Sequence, residues 1–351
     1  MKVWILIFVC MFSMPLLVAV LHFRMRKGQI LKIRQDYVKN ARYFGRSFSS
    51  LVEKALPEMK NGTIMLSRQE KVLEADGNQE FAQPDIEDLV IARNTVFCPQ
   101  QSDLHFQKEI YSEKDALFVK ENIRIRAVYS KKRLLFGNKS RLLRWADAEH
   151  AVAVYDECDL GERVSSGEQL VTGFDNIFHS LYAPVIRLGQ RPEEPDRFME
   201  ERDPRIFRMP VMNSHEYNRH YIDDDMVTES GTVPYTIISR GDIKVIEDII
   251  LQGDIHSDES VRIMENASVL GNIFAEKDIL LEKNATVLGN IFTQGNIIFE
   301  EGASAGQPGK ITSVVARGKI TFYGSNYVYG YVVSEGGGKI LKSDRERSGE
   351  Y

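Results

Sequence analysis

The sequence predicts an all-β fold, a parallel β-helix with coils of about 18 residues, preceded by a single N-terminal helix long enough to span a bilayer. Three observations predict it. Residues 241–306 can be cut every six residues with the third residue of each hexad always aliphatic or Ala. A second beat of 18 residues lies on top, since ENASVLGNIFAEKDILLE at 265–282 realigns without a gap on KNATVLGNIFTQGNIIFE at 283–300. Val3 to Phe23 is an uncharged run of 21 residues. At 351 residues, 43% hydrophobic and 27% charged, the chain is long enough for about two folded units and apolar enough to bury them. Its net charge of -5 argues against a dedicated nucleic-acid binder. Three cysteines are too few for a disulfide scaffold.

Taken in chain order, the uncharged run comes first. As a helix it would reach about 31 Å, close to the ~30 Å hydrocarbon core. It exceeds the usual apolar stretch of a signal peptide, and no A-x-A-like cleavage site follows it. Arg24, Arg26, Lys27, Lys32, Arg34, Lys39, Arg42 and Arg46 come next, opposed only by Asp36. That excess of positive charge predicts a single-pass protein of the inner (cytoplasmic) membrane with its bulk in the cytoplasm. Residues 1–28 are thus expected to be the anchor and its basic flank, and 29–94 a juxtamembrane helix and linker. The helix would present Ile30, Ile33, Tyr37, Phe44, Phe48 and Leu51 on one face, suited to membrane lipid or to packing on the domain.

Residues 95–190 are expected to hold the N-terminal coils, since Gly161, Gly167 and Gly173 lie six apart and 117–155 alternates in places. A charged insertion at 191–232, with Pro192, Pro195, Pro204 and Pro210, interrupts them. The C-terminal coils occupy 233–341. There Ile243, Ile249, Ile255, Val261, Ile273, Ile279, Ile291 and Ile297 are the predicted core, because alternation within a short strand turns third and fifth side chains inward. Gly241, Gly253, Gly271, Asn272, Gly289, Asn290 and Gly295 are the predicted coil corners, where Gly and Asn tolerate left-handed backbone. A helix is excluded, since a six-residue period drifts off any helical face. No coil buries its core alone, so several must stack. The charged tail 342–351 is expected to guard the open edge of the last coil, and the segment around Ala82 to Cys98 to cover the first.

At the level of these repeats the sequence resembles the bactofilins, the polymer-forming cytoskeletal proteins of bacteria. The residues that carry the likeness are the corners Gly241-Asp242-Ile243, Gly253-Asp254-Ile255, Gly271-Asn272-Ile273 and Gly289-Asn290-Ile291, and the paired NASVLGNI and NATVLGNI segments. The resemblance covers 230–341 and, loosely, 95–190. It implies a right-handed, three-faced β-helix that self-associates end to end without nucleotide, and a membrane-associated scaffold that positions envelope or cell-shape proteins. The extra upstream coils, the insertion and the charged tail depart from the compact family pattern.

Enzymatic signals are weaker. His215, Glu216 and His220 miss a zinc helix, because a spacing of five puts the two histidines on different faces. SEGGGKIL at 334–341 lacks the spacing of a phosphate loop. The alternatives are a hexapeptide-repeat acyltransferase, which would need a catalytic His such as His179 or His256, and a carbohydrate-active β-helix enzyme, which would need grouped outward carboxylates. Glu276, Glu282 and Glu300 are instead scattered. The expectation is a scaffold with no catalytic, cofactor-binding or metal-binding residue, no cofactor and no nucleic-acid partner.

Overall fold

The structure is a computed structural model that describes residues 14, 40–97, 102–192, 219–221, 232–233 and 235–343. Residues 1–43 and 44–351 form separate compact units. In the larger unit one helix, α1 (Tyr43–Ala55), precedes a single parallel sheet that winds into coils.

The C-terminal stack follows the hexads closely. Its strands are short, such as Ile255–Ser257, Val261–Ile263 and Ser268–Val269, and each pairs in parallel with the third strand after it. Three strands therefore make a coil, one strand on each of three faces. The register runs Ile237–Ile255–Ile273–Ile291 on one face and Ile243–Val261–Ile279–Ile297 on the next. All eight predicted core residues lie in this buried interior. Between Ala305 and Thr312 the ruler slips: Ser313 lies 23 residues beyond its partner Asn290 instead of 18. The extra residues form a small out-turned loop closed by a Gln307–Lys310 bridge.

The N-terminal stack has the same cross-section built differently. Leu134 pairs with Val152, and Val152 with Leu170, again 18 residues apart in sequence, while Trp145 pairs with Arg163. Two faces here share one long strand: His105–Ser112, Arg124–Ser130 and Arg141–Ala148 each turn the corner through a register irregularity. Such bends need no Gly or Asn corner, which is why the ruler fades. The stack also begins earlier than residue 95. Strand starts at Thr63, and Gln69–Asn78 pairs in parallel with Leu89–Phe97. Residues expected to be linker are thus the first coil. Phe81, buried against Phe106 edge to face at 5.3 Å, closes that end of the core, one residue before the expected cover.

The two stacks do not continue one another across the insertion, as a single interrupted column would. They meet tail to tail. The last strand of the first, Asn176–Leu188, runs antiparallel to the last strand of the second, Asn326–Leu341. The expected open C-terminal edge is therefore paired, and Lys342 and Ser343 follow a strand buried in a seam. The remaining tail, and insertion residues 193–218 and 222–231, lie outside the described residues.

One part of the expected fold class is corrected. Among the described residues no helix is long and apolar enough to cross a membrane. The helix that is described, α1, has 13 residues and so reaches only about 20 Å, and it carries Arg46, Glu53 and Lys54. The all-β parallel helix stands without the transmembrane helix expected ahead of it. Val3–Phe23 lies outside the described residues apart from Met14.

Candidate functional site

The seam is the least ordinary feature of the molecule, and its geometry is built from sequence upward. The pairing runs around all three faces: Asn176–Phe178 against Gly338–Ile340, Ser180–Ala183 against Gly330–Val333, and Ile186–Leu188 against Asn326–Val328. Its two register shifts fall between these segments, where the coil turns its corners. Every backbone edge that a terminal coil would otherwise expose is thus used, which matters because such edges pair with whatever strand is offered. Leu181 meets Val332, both with no exposed surface, so an unbroken column runs Ile110–Val128–Ala146–Val164–Leu181–Val332–Val314–Ile291 through both stacks. The two final coils also open alike. Asn176 is fully buried and donates from Nδ2 to the carbonyls of Tyr155 (2.8 Å) and Gly173 (3.1 Å). Asn326, equally buried, donates to those of Tyr323 (2.9 Å) and Gly324 (3.2 Å). On the outside Tyr182 packs on Tyr331 with ring centres 4.5 Å apart. At the exit of the first stack Arg191 is pinned to Asp156, Nη2 at 2.6 Å and Nε at 2.7 Å.

A second feature is the outer surface of one face. In the first stack its outward residues form a ladder Ile91–Tyr111–Tyr129–Asp147–Ser165. Helix α1 lies along it. Arg163 sits over the Phe44 ring, a Cβ on Gly45 would collide with the Asp147 side chain, Phe48 packs edge-on against Trp145 (5.6 Å), and Val52 is fully buried. A helical turn rises about 5.4 Å and a coil about 4.8 Å, so the row Phe44, Phe48, Val52, Leu56 advances one turn per coil. Glu53 fixes the register by accepting from Lys131 Nζ (2.8 Å), Tyr111 OH (3.2 Å) and Ser49 Oγ (3.2 Å).

The hydrogen bond and charge of Lys131 hold the Glu53 carboxyl below its ordinary value against a smaller opposing effect of burial. Lys131 is raised in turn by Glu53. A carboxyl depressed on folding contributes stability above its unfolded pKa, and that contribution is lost as pH falls through the lower folded value. Acidification below the usual carboxylate range, about pH 4, is therefore expected to loosen α1. Trp145 fluorescence in a Trp4→Phe background reads this through the Phe48 contact, and Glu53→Gln should flatten the acid limb.

The described surface holds one polar cleft of this kind, about 360 Å³, near the start of the first stack. Asp85, Asp103, His105, Arg124, Lys139 and Arg141 line it. His105 Nδ1 lies 3.0 Å from Asp85, and Arg141 lies 3.4 Å from Asp159. These are exposed or half-buried pairs of the kind worth little individually. Among the described residues no group of three His, Cys, Asp or Glu is placed to hold a metal ion. Of the sequence near miss, only His220 is described, in the short strand Arg219–Tyr221. His256 points outward and stacks on Phe274 at 4.8 Å. Cys158 is buried and its thiol is pushed up to about 12 by burial, the opposite of a reactive cysteine.

The predicted corner residues sit at corners, with a division of labour that spacing alone does not reveal. The left-handed positions are Asp248, Asn266 and Asn284, with φ of 58°, 58° and 56°. Gly253, Gly271 and Gly289 serve closeness instead, since a Cβ on Gly271 would collide with the Gly253 carbonyl and one on Gly289 with that of Gly271. Next to them Asn290 donates from Nδ2 to Asn272 Oδ1 (3.0 Å) and Asn272 to Asp254 Oδ1 (2.9 Å), a side-chain ladder down the edge. Gly241, at the first turn of the ruler, is in open space. Gly295 packs against the Lys277 backbone. The seam was not predicted, although two signals point to it: long alternation at 176–188 and 326–333 without corner residues, and a Gly-x-x-Asn or Gly-x-Asn opening at Gly173 and Gly324. No family model, curated protein or solved structure matches the chain.

Proposed function

We propose that the protein is a non-catalytic, bactofilin-like scaffold that self-associates through the ends of its β-helix. One observation carries this reading: the chain already joins two stacks by pairing complete terminal coils, Asn176–Leu188 on Asn326–Leu341. Coil-to-coil edge pairing is thus a contact that this sequence sustains around all three faces. The seam also fixes what remains to pair. Both last coils are consumed, so the two outer ends of the column are first coils. On one, Gln69–Met65 pairing and Phe81 intervene. On the other, the outer edge of Ile243–Val245 has no strand partner among the described residues. Two copies that meet end to end there present identical edges, a self-complementary contact that closes as a pair.

Light scattering of the full-length protein across a concentration series tests this, with electron microscopy of the same samples. Dimers or larger assemblies that grow with concentration and need no nucleotide or metal are the expected result. Truncation of residues 342–351 should leave the distribution unchanged, because the coil beside them is paired already. A strictly monomeric protein at every concentration would sink the scaffold reading, and so would binding of an acyl donor.

A further inference from the structure

We propose that the uncovered half of the α1-bearing face is a docking surface for an amphipathic helix of another polypeptide. The face does not stop at the seam. Ser180–Ala183 pairs with Gly330–Val333, so the surface under α1 passes directly onto the outer surface of the second stack. There the outward column reads Val333–Val315–Phe292–Phe274–His256–Ile238, neighbours in register from strand to strand. Five of its six members are apolar or aromatic. Phe292 is 38% exposed, and Ile311 beside the column is 47% exposed. On a sheet with one solvated side these positions are ordinarily polar. Apolar residues aligned over several coils therefore mark a contact surface.

The occupant follows from dimensions. Six strands spaced about 4.8 Å apart make a strip of about 24 Å. Its width, about three residues or 10 Å, is that of one helix. An area of roughly 240 Å² falls well short of the ~800 Å² per partner that a stable dimer needs, which disfavours a second copy laid face to face. A helix of about 16 residues spans the strip end to end. The chain itself shows that the fit works, since α1 rides the other half of this face one turn per coil, with Phe44, Phe48 and Val52 inward. The partner expected here repeats that pattern: apolar side chains at i, i+4, i+8 and i+12, read by the Phe274 and Phe292 rings.

The probe is a fluorescein-labelled peptide of residues 43–58, the one helix known to suit this face, titrated by anisotropy into the full-length protein. Saturable binding is expected, weakened about tenfold or more by Phe292→Asp, the loss that a central aromatic anchor gives. Phe292 already touches water, so this variant should keep the wild-type circular dichroism and melting curve. His256→Asp, near the end of the strip, should weaken binding less. Three results overturn the proposal: no binding, binding indifferent to Phe292→Asp, which would mean exchange at the α1 site, or a Phe292→Asp protein whose own oligomer distribution changes, which would make a second copy the occupant. The last readout moves independently of end-to-end assembly, which depends on Ile243–Val245 at the far end of the column.

Discussion

Leu181→Asp should destabilise the protein by roughly 3–5 kcal/mol, the scale set by an uncompensated buried charge. Leu181 and Val332 face each other across the seam with no exposed surface and with Ala146, Val164 and Val314 among the buried residues around them. No cation in that interior column answers a carboxylate. Val332→Asp should therefore cost about as much, although the two residues lie 151 positions apart in sequence and belong to different stacks. Ser180→Asp, one residue away and partly exposed, should be mild. Urea unfolding curves of the three variants make the comparison. The pH dependence supplies an internal check. A buried Asp has its pKa raised above the unfolded value, so the deficit should shrink as pH falls through that raised pKa and be largest at neutral pH. If Leu181→Asp and Ser180→Asp melt alike, the tail-to-tail seam is wrong and the stacks are independent.

How much of this was legible in the sequence depended on which force fixed each element. In 241–306 every coil needs an inward aliphatic and a tight corner at constant spacing, so local chemistry repeats and the three-faced stack can be read directly. Upstream, Arg124–Ser130 and Arg141–Ala148 turn a corner by a bend within the strand, and bulky interior residues such as Phe118 and Phe136 replace the regular Ile. The fold is the same there, but no single position is bound to one residue type. The corners were located and only partly understood. Asn and Gly were grouped as left-handed formers, yet the closeness of successive backbones at Gly253, Gly271 and Gly289 is a property of stacking that one coil does not display. The seam lies further beyond local reading. Which strand meets Asn176–Leu188 is decided by the return of a chain 150 residues later, and both strands would look the same if they faced water. Helix α1 was foreseen as amphipathic through Phe44 and Phe48. Its partner ladder, Tyr111, Tyr129 and Trp145, was not, because those outward aromatics are 16–18 residues apart in sequence and invisible until the coils are superposed.

The hexad assignment itself is tested most sharply by neighbours of opposite orientation. Ile291 is fully buried between Ile273 and Val314, whereas Phe292 projects outward from the next position of the same three-residue strand. Ile291→Asp removes an aliphatic whose burial is worth about 1.5–3 kcal/mol and adds a carboxylate without a partner. The combined loss should exceed that of any other single change in the second stack, because Ile291 sits near mid-column and its neighbours cannot move aside in a close-packed interior. Incomplete folding is the expected outcome, read as a lowered melting temperature and early proteolysis of 235–343. Ile291→Val keeps the shape and polarity of the site and should cost only about 0.5–1.5 kcal/mol, which separates the effect of charge from that of volume. Phe292→Asp should melt like wild type. Equal damage at 291 and 292 would mean that both side chains are interior, which no strand of period two allows.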